Sequence, residues 1–199
     1  MKSKSDKIKY CLDKCVVFSF ILIFITLSGY SQMAFCASNA KQTPTQQGIQ
    51  GYGKVHPYPE AAIQPSPKRD YKVLFDITKA ADSADKVNPG LDHVARLLNL
   101  FALARVSTDR LKIVVVVHGS ATPLVLKDDA YQKLYQISNP NSELIGLLQS
   151  ANVKFYICGQ ALAEKILTPA SVNPKVTLAL SALTALITYQ SDGYAMISN

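Results

Sequence analysis

LKIVVVVHG (Leu111–Gly119) decides the fold. Its unbroken β-branched run leaves no polar face, which is the pattern of a strand covered on both sides in a parallel sheet. Upstream lies a second strand, YKVLFDI (Tyr71–Ile77), then a loop carrying Lys79, Asp82, Asp85 and Lys86. Asn88-Pro89-Gly90 is a helix start. Leu91, Val94, Ala95, Leu98, Phe101, Ala102 and Arg105 follow at helical spacing. Leu97, Leu100 and Ala104 widen the apolar face of that helix, so it is expected to be buried on two sides, the second at a subunit interface. Downstream, Lys127–Tyr135 reads as a short helix, and Asn139-Pro140 caps the next one, with Pro140 in its first turn and Leu144, Ile145 and Leu148 turned inward. The third strand is NVKFYIC (Asn152–Cys158), followed by a helix over Gly159–Leu167. A short strand over Lys175–Leu178, a helix over Leu180–Ile187 and a last strand over Tyr194–Ser198 complete the alternation. Strands separated by helices predict an α/β fold: a three-layer α/β/α sandwich with a five-stranded, mainly parallel sheet over residues 71–199.

The amino-terminal end reads as an address. Lys2, Lys4, Lys7, Lys9 and Lys14 precede an apolar run from Val16 to Leu27, and small and polar residues follow it. That order is expected of a cleaved signal peptide over residues 1–40, cut after Cys36 or after Ala40. Phe35 before Cys36 is too bulky for a lipobox. The alternative is an uncleaved anchor, because Val16–Ala37 approaches the ~20 residues a bilayer requires. Ser28, Ser31 and Gln32 weigh against it. The expected location is periplasmic or secreted, with membrane contact only through the signal segment during export. Residues 41–70 are rich in Pro and Gln and form a linker or strap, which Tyr52, Tyr58 and Ile63 would pin to the domain or to a neighbouring subunit. Gly48, Gly51 and Gly53 lack the flanking strand and helix of a phosphate loop.

Composition narrows the function classes. A chain of 199 residues allows one ordinary domain. With 18% charged residues, wholesale disorder is excluded. Residues 41–199 keep 16 basic and 12 acidic side chains, a net of +4 without a Lys/Arg run, so no nucleic-acid partner is expected. No HExxH, CxxC or Walker A pattern occurs, so neither a metal nor a cofactor is expected. Of four cysteines, Cys11, Cys15 and Cys36 fall in the leader. The mature chain would keep Cys158 alone, an unusual lone thiol for an oxidising compartment.

In open parallel sheets, ligands bind beyond the carboxyl ends of the strands. Those ends carry Asp76 and Thr78, then His118-Gly119-Ser120, then Cys158-Gly159-Gln160. Cys158 is followed by a helix start, whose unpaired amides favour a thiolate, the form that attacks and accepts sulfur. Gly159 would leave room beside the sulfur, and the Gly159 and Gln160 amides would seat an anion. Equally, Cys158 could simply fill a strand end as a small hydrophobe. His118 either assists the thiolate or caps loop backbone. Ser120 has no G-x-S-x-G elbow, so a hydrolase triad with Asp76 is disfavoured.

NPGLDHVARLLNLFALARV, VVVVHGSAT, NPNSELIGLLQSANVKFYICGQAL and ALSALTALITYQSDGYAMI together resemble the DsrE/DsrF-like family, in a secreted branch, over about residues 71–199. The resemblance implies a homo-oligomer, trimer or hexamer, and a sulfur relay in which a cysteine after the third strand carries persulfide or thiosulfonate. Cys158 stands at that position. Gly119, Ser120, Asp76, Gly159 and Gln160 are the accompanying binding candidates, with a sulfur-donor or acceptor protein as partner. The expected activity is at most that of a sulfurtransferase-like carrier. The alternative is a non-catalytic oligomeric binding module with a structural cysteine.

Overall fold

A computed structural model describes residues 48–199. The expected leader, its cleavage sites and its three cysteines lie outside these residues. The valine run becomes β2 (Leu111–Val117), the centre of a five-stranded sheet in the order β4-β3-β2-β1-β5. Its partners are β1 (Tyr71–Ile77), β3 (Lys154–Cys158), β4 (Thr177–Ala179) and β5 (Ala195–Ser198). Every pairing is parallel, so "mainly parallel" sharpens to wholly parallel.

Period-two alternation sends β2 into two cores at once. Ile113, Val115 and Val117 join Phe75, Phe155 and Ile157 under α1 (Pro89–Leu103) and α3 (Ser142–Ser150), where Leu91, Val94, Leu98, Leu144 and Leu148 meet them. Val114 and Val116 face the other way, with Leu74, Ala161 and Ala182. The six-residue α4 (Gly159–Glu164) stands at the end of β3 between the two cores, sending Leu162 to the first and Ala161 to the second, and α5 (Ala182–Ser191) covers the second face. Because β4 and β5 are opposite edges, α5 carries the chain across the whole sheet, touching β4, β2 and β1 on its way.

The helix starts follow from their caps. The Asn88 side chain accepts from the Gly90 amide, and Pro89 occupies the first helical position, where no amide hydrogen is needed. The next expected cap differs. α3 starts at Ser142 with Asn141 as its cap residue, so Pro140 precedes the helix rather than sitting in its first turn. Asn139 is occupied elsewhere, its amide donating to the Leu124 and Leu126 carbonyls. Asn141 donates to Asn139 Oδ1, and the Asn88 amide donates to Asn141 Oδ1. This buried asparagine ladder ties the start of α1 to the segment after β2, and satisfies polar groups that would be costly to leave unpaired. The short helix α2 (Asp128–Tyr135) packs beside it.

The glycine-rich strap is a clasp. Asn99 on α1 donates to the carbonyls of Ile49, Tyr52 and Gly53, and accepts from the Ile49 amide. The Gly53 amide donates to Asp92 at 2.7 Å, and the Tyr52 hydroxyl donates to Glu143 at 2.9 Å. Gly53 has φ +61°, and a Cβ there would stand 2.2 Å from the Arg96 nitrogen, so only glycine fits. Ile49 and Tyr52 thus pack on the core beside Leu97, covering within the chain part of the face assigned to a second subunit; Leu100 and Leu103 stay exposed. Of the three anticipated pins, Tyr52 holds, whereas Tyr58 and Ile63 are 65% and 92% exposed.

Removing the clasp should be measurable. Asn99→Ala leaves three carbonyls short of their donor and is expected to cost about 1–3 kcal/mol in urea denaturation. Proteolysis after Lys54 should accelerate in parallel. Unchanged stability and unchanged cleavage would show that the strap holds by apolar contact alone.

Candidate functional site

Three adjacent strands deliver one side chain each to the same face of the sheet. Val117 pairs with Ile157, so the residues that follow, His118 and Cys158, leave β2 and β3 side by side. The His118 amide donates to the Ile77 carbonyl, extending the β1–β2 ladder by one residue. Asp76 is in register with Val116, on the face of β1 that also bears Leu74. Across this line His118 Nε2 meets Asp76 Oδ1 at 2.8 Å. Both groups are part-buried. An ionised carboxylate only accepts, so neutral His118 carries its proton on Nε2 and leaves Nδ1 as a base.

Cys158 ends β3 and caps α4. Its Sγ accepts from the Ala161 amide at 3.5 Å, a long contact of the kind sulfur makes. The residue is 5% exposed and sits among Leu74, Val114, Val116, Ala161 and Ala182. The sulfur of the chain as it stands is therefore covered. The room expected beside Gly159 is absent as well. A Cβ at Gly159 would lie 3.0 Å from the Ala179 carbonyl oxygen and 3.3 Å from that of Leu180, so the glycine serves a close approach of the turn after β4. Gln160 secures the same turn, its Nε2 donating to the Leu180 carbonyl at 3.1 Å.

The remaining sequence candidates shape the loop after β1. Gly119 adopts φ +59°, with the Thr78 carbonyl 3.1 Å from where a Cβ would stand. The Ser120 hydroxyl donates to Thr78 O and accepts from the Ala80 amide, both at 3.0 Å. Asp76 and His118 therefore converge, and Cys158 leaves β3 level with His118. Gly119, Ser120, Gly159 and Gln160 position backbone.

Sequence reading missed a tyrosine stack on the α5 face. Tyr189 on α5 donates its hydroxyl to Tyr156 at 2.8 Å, and its ring lies 5.0 Å from that of Tyr194. Lys72 Nζ lies 5.7 Å from the Tyr194 ring centroid, within cation–π range. Burial, then the hydrogen bond and the neighbouring phenols, push the Tyr189 hydroxyl above the usual tyrosine range. The three tyrosines are scattered along the chain, and only the paths of β3 and α5 bring them together.

Residues 72–198 match the model of the DsrE/DsrF-like family. No curated protein matches the chain. Among solved structures, a protein of unknown function from Methanobacterium thermoautotrophicum is similar, at 22% identity and a TM-score of 0.49, over 65% of this chain and 100% of that one.

The raised Tyr189 pKa has a signed consequence. A phenol harder to ionise when folded stabilises the fold fully below the unfolded tyrosine pKa of about 10, and that contribution is lost as pH climbs from there toward the folded value. Urea unfolding between pH 9 and 11 should show the wild type losing stability more steeply than Tyr189→Phe. Parallel curves would remove Tyr189 from the alkaline response.

Proposed function

Because the chain belongs to the DsrE/DsrF-like family, associated with sulfur relay, we propose that it is an exported member that takes sulfur onto Cys158 and hands it on. One observation carries the reading: Cys158 leaves β3 beside His118, whose imidazole Asp76 holds on the same face. In the proposed cycle His118 Nδ1 takes the thiol proton, and Asp76 stabilises the resulting imidazolium. The thiolate attacks the outer sulfur of a donor such as thiosulfate. A sulfur–sulfur bond forms on Cys158, the donor's bond breaks, and sulfite departs with the electron pair. An acceptor thiolate then attacks the outer sulfur of the persulfide and releases Cys158 as thiolate, so no further oxidant or reductant is required. A donor or acceptor protein would dock on this carboxyl edge. The basic and apolar order of residues 1–40 supports export, to the periplasm or beyond.

The burial of Cys158 favours a second reading, a non-catalytic oligomeric module in which the cysteine only packs. Intact-mass measurement after incubation with thiosulfate or polysulfide separates the two. Sulfur carriage gives a gain of about 32 Da per atom on the wild type, none on Cys158→Ser, and about tenfold slower loading on His118→Ala. An unloaded wild type whose native thiol also resists alkylation establishes the packing reading.

Under either reading we propose a homo-oligomer, a trimer or hexamer. Leu180, Leu183 and Ile187, 75%, 71% and 65% exposed, form an apolar row along the start and outer side of α5, continued by Leu178 on the β4 edge. A second copy would cover it. Light scattering should give a multiple of the protomer mass for the wild type and a folded monomer for the double change Leu183→Lys with Ile187→Lys. A monomeric wild type would refute the assembly.

A further inference from the structure

The described residues enclose a cavity of about 220 Å³ at the carboxyl ends of β1 and β2, between the loop after β1, the turn that follows His118, and α2. It stands apart from the sulfur reading, since neither Cys158 nor His118 forms its wall. The position is the one at which open parallel sheets bind small molecules. Its size exceeds the roughly 150 Å³ that admits a benzene ring.

The walls are held from behind. Asn88 and Asn141, which line the cavity, spend their side-chain oxygens and amides on the asparagine ladder, on Lys79 O and on the Gly90 amide. The Tyr131 hydroxyl donates to Ala84 O at 2.7 Å and ties α2 to the loop. Ser120 fixes the loop's other end. With these polar groups engaged, the charges left in the wall are Lys86 and Asp82, which form no ion pair among the described residues. Pro123, Leu124 and the paired rings of Tyr131 and Tyr135, 4.6 Å apart, supply apolar surface.

One cation and one anion in the wall, with the Asp85 carboxylate next to Lys86 outside the lining and accepting from Ser83, make a poor match for a singly charged ligand, which would be attracted by one wall group and repelled by the other. We propose that this cavity binds a small zwitterion with an apolar ring or chain, of amino-acid size, its carboxylate toward Lys86 and its ammonium toward Asp82. L-phenylalanine is the probe, with 3-phenylpropanoate lacking the ammonium and phenethylamine lacking the carboxylate.

Amide shifts of the full chain are followed by NMR during titration with each compound. Binding of L-phenylalanine should perturb Ala80–Lys86 and Tyr135, about three- to fivefold more tightly than either singly charged relative. Lys86→Met should remove the advantage over phenethylamine, and Asp82→Asn the advantage over 3-phenylpropanoate. Both changes are on exposed positions, so folding is expected to persist, and Ala81→Leu should block all three compounds by filling the space. No shift in this loop with L-phenylalanine, equal affinity for the three compounds, or affinities indifferent to both charge changes would overturn the assignment.

Discussion

Two-sided burial of β2 is the constraint on which the rest of the molecule depends. A strand with no polar face must be covered above and below and paired on both edges, and each requirement draws in another part of the chain. Ile113, Val115 and Val117 commit α1 and α3 to one face, while Val114 and Val116 commit α5 to the other. The parallel register that results also fixes the chemistry. His118, one residue past β2, and Cys158, the last residue of β3, leave the sheet side by side, and Asp76, in register with Val116 near the end of β1, faces the same side, so the three gather there without any loop having to bring them.

The three sit in unequal environments. His118 and Asp76 keep partial access to water and hold each other at 2.8 Å, which fixes the imidazole against the carboxylate. Cys158 is covered by small side chains, Ala161 and Ala182, and touches an amide rather than solvent. Small covering groups close over a thiol at little cost in volume. In a sulfur carrier such a cover would shield a persulfide between donor and acceptor; in a binding module it is ordinary core packing.

Much of this was legible in residue order because the signals are local. The valine run, the Asn88-Pro89 start and the helical spacing of Leu91, Val94 and Leu98 each report a nearest-neighbour preference. The approach of Asp76 to His118 was not legible, since it depends on the register of two strands 42 residues apart. Gly159 was misread for a related reason: its missing side chain makes room for Ala179 and Leu180, which lie about 20 residues on. The Asn139 ladder escaped because asparagine before proline resembles a helix cap, and only tertiary contacts reveal that its amide is already engaged. The glycines of the strap likewise look like flexible linker until Arg96 is found where a Cβ would stand.

The second face of the sheet rests largely on α5, which also supplies the sole covalent route from β4 to β5. Ala182, at its beginning, is part of the lid on the thiol, while the strand at its far end closes the opposite border of the sheet. Among the described residues this helix is the element that spans the second face from β4 to β1. Covering the sulfur and reaching the opposite edge strand are thus demands met by one ten-residue helix.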